Sequence, residues 1–341
     1  MKKIMILCFL SFVLGVPALA ATAQTVPAKT PAKTPPIALQ WPLSCILQVN
    51  CFITGYPDLR AGKDLQNPQD FKCGQLTEPG QQGTVIQFID QKTALSGQNV
   101  LAAAAGRVIF VRQDVRDGRR YSSRSSKACG NEVQIRHRNG YSTRYCHLLE
   151  NSVTVEPGQR VEAGDVLGQV GKSGDVRDAG LEFVVLRRGV PVDPFTDRAL
   201  ARPSSCFSLT DTSLWADALD YPPAVFMAGS FADKTPSEFD LNFDSTPKDT
   251  LPRDADKLVA WVRVLGIHEG DEETLSIYTP GGNLWHREHR RHIMTTASWL
   301  SIAEARPAEG DKLVPGTWKA VYTLVRDGEK ILSHSFTVKV E

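Results

Sequence analysis

Three groups of residues in this chain have types and spacings that could do chemistry. His286, His289 and His292 stand three apart in Trp-His-Arg-Glu-His-Arg-Arg-His, a spacing that suggests metal ligation. The run follows Gly281-Gly282 in a stretch of strand composition, where residues three apart alternate faces. It also lacks the His-Glu-x-x-His order of a helical zinc protease. A solvated basic strand is expected there. Cys146 directly precedes His147, the residue types of a thiol nucleophile and its base. Neighbours in a strand point to opposite faces, so the two are expected not to meet. Arg116, Arg119, Arg120, Arg124 and Lys127 make a basic loop. It could contact an anionic polymer or an acidic partner, but a solvated loop is the plainer expectation.

These groups must be held by elements. The region 81–200 reads as β. Val100 to Ala105, Gly106 to Arg112, Glu132 to His137 and Tyr141 to His147 have strand composition and are punctuated by glycines. Asn139-Gly140 between two of these runs signals a two-residue hairpin. No helical period occurs in this region. From about residue 221 a second β unit begins. Leu258, Ala260, Val262 and Val264 alternate along one strand, and Asp327-Gly328 joins two more runs. The expected fold is all-β: a β-sheet core over 81–200, a connector over 201–220, and an immunoglobulin-like β-sandwich over 221–341.

The rest of the chain is of other kinds. Met1-Lys2-Lys3, the apolar run Ile4 to Val16 and Ala18-Leu19-Ala20 read as a Sec-type signal peptide over 1–20. Residues 21–40 repeat Pro-Ala-Lys-Thr and read as an extended linker. Residues 41–80 read as an irregular, Cys-rich lead-in. The chain has 341 residues, with 39 basic and 38 acidic side chains, a formal charge of +1. No strong field favours nucleic acid. No internal apolar run is long enough to keep the protein in a membrane once the leader is removed. Periplasmic or secreted localisation is expected.

Outside the leader the cysteines are Cys45, Cys51, Cys73, Cys129, Cys146 and Cys206, many for a reducing compartment. Spacing leaves their connectivity open. Cys129 and Cys146 bracket the Asn139-Gly140 hairpin and could face one another. Cys45 and Cys51 could close a small loop, which would leave Cys73 with Cys206.

Tyr145-x-His147-Leu148 precedes Val153 to Gly171, where Pro157-Gly158 and Ala163-Gly164 each introduce a short apolar strand. Gly180-Leu181-Glu182-Phe183 and Gly189 to Phe195, which contains Val-Asp-Pro, follow. In this order the motifs resemble the lysostaphin-type (LytM) peptidoglycan metallopeptidases. The resemblance covers about residues 75–196 and implies a LytM-type β-sheet core with a lipoyl-like barrel-sandwich motif. Lipoyl-type modules share the paired turns, but Tyr145-x-His147-Leu148 favours the peptidase family. The lead-in and the C-terminal unit also resemble a multi-domain branch of that family.

The resemblance implies a zinc held by His-x-Gly-x-Asp and by the second His of His-x-His, with three protein donors and one open position. This chain departs from that set. The first motif falls on Gln81-Gln82-Gly83-Thr84-Val85 and the second on Gly180-Leu181-Glu182. A competing register would use Asp90, with Ile86 at the histidine position. Of the functional positions only His147 keeps its family residue, and without the metal it is not expected to be catalytic. No cofactor is therefore expected. The groove residues implied are Gln81, His147, Gly180 and Glu182, with Val85 as a lost ligand. The expected protein is a pseudoenzyme that binds peptidoglycan or regulates a periplasmic wall hydrolase. The alternative is an active endopeptidase with an altered metal site.

Overall fold

The computed structural model describes residues 36–60, 67–200 and 213–341. The signal-peptide reading, most of the linker and Cys206 lie outside the described residues.

The first part contains β1 (Cys51–Gly55), β2 (Thr84–Phe88), β3 (Asn99–Leu101), β4 (Gly106–Arg112), β5 (Asn131–Arg136), β6 (Tyr141–Leu148), β7 (Arg160–Val161), β8 (Val166–Gln169), β9 (Gly180–Arg187), β10 (Val190–Asp193) and β11 (Arg198–Ala199). A nine-stranded sheet runs β1-β2-β9-β6-β5-β4-β7, extended from β9 by β10 and β11, while β3 and β8 pair apart from it. Its pairings are antiparallel. Alternation dictates the buried face. Thr84, Ile86 and Phe88 of β2 are buried, as are Tyr141, Thr143 and Tyr145 of β6. The hairpin between β5 and β6 turns on Asn139 and Gly140, with φ 58° and 78°. Asparagine and glycine tolerate this left-handed pair best.

Two expectations about the edges of this unit need correction. The lead-in is not wholly irregular, since β1 pairs with β2 at the edge of the sheet. Ile37 and Leu39, expected in the linker, and Leu214 and Trp215, expected in the connector, are buried in the same core. Leu39 donates its N–H to Leu214 O at 2.8 Å. Apolar side chains at both ends of the unit find one another only when the chain folds back. The region expected to be free of helix also contains one turn, α1 (Gln91–Ala94), capped by Asp90, whose side chain accepts from Thr93 N.

The second part contains β12 (Val225–Ala232), α2 (Glu238–Phe243), β13 (Thr250–Leu251), β14 (Leu258–Ile267), β15 (Glu272–Tyr278), β16 (Leu284–Arg291), β17 (Thr296–Ala305), β18 (Gly316–Arg326) and β19 (Glu329–Val340). One sheet is β12-β14-β17 and the other β13-β19-β18-β15-β16. Leu258, Ala260, Val262 and Val264 enter the shared core with Trp318 and Tyr322. The opposite face of β14 is also covered, because Val259 and Trp261 pack in a second cluster with Leu241 of α2.

The two parts are docked. Phe52 packs with Met227 and Leu265, flanked by Ile89 and Val225. Arg263 Nη1 donates to Ile89 O at 2.9 Å. Among the described residues no helix is long and apolar enough to cross a membrane.

Candidate functional site

A groove of about 970 Å³ lies on the open face of the nine-stranded sheet. Gln81, Val85, His147, Gly180 and Glu182 all line it, and Met227, Leu265 and Ser298 bring the second part to its wall. The four residues expected in the groove are therefore brought together.

The register of β2 on β9 pairs Val85 with Glu182. Directly opposed residues share a face and lie close, so the positions that the resemblance gives to ligands of the two motifs are neighbours here. Gly83 is held to glycine by contact, because a Cβ there would lie 2.5 Å from Glu182 Cγ and 2.9 Å from Val184 Cγ2. Gly180 is similarly confined, its Cβ position being 2.6 Å from Ile86 O. Asp90 of the competing register is elsewhere. Its Oδ2 accepts from Ser245 N and Ser245 Oγ, each at 2.8 Å, so it ties the two parts together. Burial would raise the Asp90 carboxyl, but these bonds and those from Thr93 hold its pKa below the ordinary value.

His147 is placed by a break in β6. Between Tyr145 and Leu148 the pairing with β5 slips, Leu148 opposing Asn131 and Tyr145 opposing Val133. His147 has φ 70°, and the burial alternation fails from Cys146 onward. Such a bulge re-aims a side chain. The imidazole Nδ1 lies 2.8 Å from Ser173 O, a carbonyl that can only accept, so Nδ1 carries hydrogen. The opposite nitrogen, Nε2, lies 3.5 Å from Glu182 Oε2. Burial tends to raise the Glu182 carboxyl. The hydrogen bond and charge of His147, the charge of Arg144 and the Gly83 N–H outweigh it and leave the pKa lowered.

Cys146 is bridged to Cys129 and Cys45 to Cys51. Cys73 is disulfide-bonded as well. The burial alternation on which that expectation rested stops at the bulge, and the disulfide leaves no free Cys146 thiol to pair with the imidazole. The His147 N–H also donates to Cys129 O at 2.8 Å, so the bridge and the backbone pin the same segment.

The donors available to a metal can be compared with the implied set. Val85 has none. The Gln81 amide is turned back on the chain, Nε2 to Gly83 O at 2.9 Å and Oε1 from Glu78 N at 3.2 Å. Glu182 and His147 remain, two donors where catalytic zinc takes three from protein. The set does not fit the metal. Among the described residues, Cys129, Glu132 and Cys146 place donor atoms within 4.8 Å of one another. Both of those sulfurs are committed to the disulfide.

The histidine triplet does not converge. His289 Nδ1 lies 3.2 Å from Thr274 Oγ1, and His286 Nε2 lies 3.9 Å from Glu288. His292 corrects the expectation of a wholly solvated run. It is buried past the end of β16, with Nε2 3.4 Å from Glu273 Oε2 and its ring edge-on to Trp299. Glu273 accepts from Trp299 Nε1 at 3.1 Å, from Tyr322 OH at 3.0 Å and from Ser301 Oγ. Of the basic loop, Arg120 reaches the groove rim, 3.8 Å from Asp175, and Arg119 lies over the Tyr121 ring.

Among the charged groove residues that escaped the sequence reading are Arg144 and Glu132. Arg144 precedes Tyr145 on β6, and Glu132 on β5 is 2.8 Å from Arg112. Counting alternate positions back from Cys146 would have put Arg144 on the open face. Asp193 of the Val-Asp-Pro motif is fully buried and accepts from Thr196 Oγ1 at 2.6 Å and from Phe195 N at 3.1 Å. Burial pushes its carboxyl up to about 7.

Residues 89–194 match the model of Peptidase family M23. The match begins after Gln81–Val85. Among individual proteins, the chain is 38% identical over 77 residues to the peptidoglycan DD-endopeptidase ShyA of Vibrio cholerae, covering 23% of this chain and 17% of ShyA. It is 32% identical over 107 residues to the cell division protein DipM of Caulobacter vibrioides, covering 30% and 15%. An uncharacterized lipoprotein of Escherichia coli, YgeR, is 30% identical over 102 residues, covering 30% and 35%. The chain thus spans well under half the length of these relatives. A zinc-containing peptidase structure from Vibrio cholerae aligns at 24% identity over 46% of this chain and 39% of that one, with a TM-score of 0.29.

Proposed function

We propose that this is an exported wall protein whose M23 domain holds a peptidoglycan peptide in its groove without cutting it. The observation that carries the reading is the pairing of Val85 with Glu182. A valine stands where a third donor would have to project, and the Gln81 amide is spent on backbone. Zinc sites of catalytic type need three protein ligands and a water acidified by the metal. With two donors the groove keeps its shape and its polar lining, but the site to activate water is lost. The relatives named as endopeptidases act on peptidoglycan, which supports a wall peptide as the ligand. Export follows from the leader-like segment and suits a disulfide-bonded domain.

The test joins metal analysis to a wall assay. Oxidised protein purified without chelator should contain no stoichiometric zinc, should co-sediment with isolated sacculi, and should release no peptides from them. One equivalent of zinc that is lost in Glu182→Ala, together with peptide release, would replace this reading with an altered but active endopeptidase. Failure to sediment with sacculi would remove the wall ligand.

A further inference from the structure

Arg144 sits on the groove floor with nothing assigned to it. It is on β6, opposite Gln134 of β5 and Val184 of β9, so both neighbouring strands hold its backbone. Its side chain lines the groove, and its Nε is buried without a hydrogen-bond partner. A buried donor left unmade costs free energy that a ligand can recover.

The other floor charges are engaged. Glu182 faces His147 Nε2 at 3.5 Å, and Glu132 faces Arg112 Nη2 at 2.8 Å. At the rim Arg120 is near Asp175. Arg263 is spent on the carbonyls of Ile89 and Leu241. Arg177 and Glu78 also line the groove, but both are exposed at its margin, where water screens them. The guanidinium of Arg144 is thus the floor-level cation without a partnering anion among the described residues. Its fork is shaped for two parallel bonds to a carboxylate. Glu182 is close enough to act on it electrostatically, but its charge is shared with His147.

We infer that Arg144 anchors a free carboxylate of the peptide lying in the groove, so that the site selects peptides with an unblocked acid end over amidated ones. This rests on the peptide-binding reading above and adds the chemistry that selects the ligand. Charge-assisted bonds of this kind are worth about tenfold to a hundredfold in affinity.

The test compares two probes on the full, oxidised chain: an N-terminally fluorescein-labelled wall tetrapeptide as its free acid, and the same peptide as its C-terminal amide. Fluorescence anisotropy should show the acid binding at least about tenfold tighter. Arg144→Gln should abolish that preference with the thermal midpoint held, and Arg144→Lys should keep part of it. Arg177→Gln should leave it in place. Equal binding of acid and amide would overturn the anchor while leaving the groove reading intact. Loss of the preference in Arg177→Gln, but not in Arg144→Gln, would also overturn it. If neither probe binds, the groove reading falls and the anchor with it.

Discussion

Val85 and Glu182 are cross-strand partners, and both line the groove. Two segments almost a hundred residues apart in sequence meet at positions that the proposed reading gives to metal ligands. Here one of them is an aliphatic side chain. Rebuilding the donors should therefore restore a site. The triple variant Gln81→His, Val85→Asp, Glu182→His should take up one equivalent of zinc, measured by elemental analysis after dialysis, with the parent protein at background. Uptake no greater than in the parent would show that more than the ligands has been lost.

Cys129 and Cys146 close a loop with a sequence separation of 17. The chain-entropy model assigns such a loop about 3 kcal/mol. The double variant Cys129→Ala, Cys146→Ala should lower unfolding stability by about that amount in a denaturant titration. It should also weaken groove binding, because the bridge pins the segment bearing His147. A stability change near zero would mean that the bridge is not holding the fold.

His147→Ala should weaken peptide binding strongly, and should lower stability by about 1–3 kcal/mol, since the buried imidazole loses its contacts with Ser173 O and Glu182. Binding isotherms and thermal melts on the same preparation separate the two effects. A collapse in melting temperature with binding retained would reverse the assignment and make His147 a structural residue.

Asp193 supplies the pH dependence. Its folded carboxyl is pushed up to about 7 from 3.8. The folded state then holds the proton more tightly than the unfolded state. The associated stability is fully present below about pH 4 and is lost as pH rises through about 7. The effect is on the order of a few kcal/mol. Asp193→Asn should flatten this part of the stability–pH curve between pH 4 and 8, followed by urea midpoints at successive pH values. A variant curve with the parent's slope would assign the dependence to another group.

Much of the local structure was legible in the sequence because it depends on short-range rules. Asn139-Gly140 and Asp327-Gly328 read as hairpins because few residues accept two left-handed positions in a row, and both pairs have positive φ in the structure. Alternation along Leu258 to Val264 predicted one buried face. It said nothing of the opposite face, where Val259 and Trp261 are covered by α2. The same period-two rule stops at Cys146-His147, since a bulge is a local failure of that period.

By itself, the sequence determined the strands and their turns, and the donor types that Gln81, Val85 and Glu182 can offer, since these follow from residue type and nearest neighbours. The tertiary structure decided the rest. Only the β2–β9 register sets Val85 against Glu182. Only the packing of Phe52 on Met227 and Leu265 brings the second part to the groove wall. Only burial turns Asp193 into a group that titrates near neutrality. Each of these joins atoms from segments far apart in the chain. Their distances come from the balance of packing, hydrogen bonding and desolvation over the whole fold, which no short stretch of residues encodes.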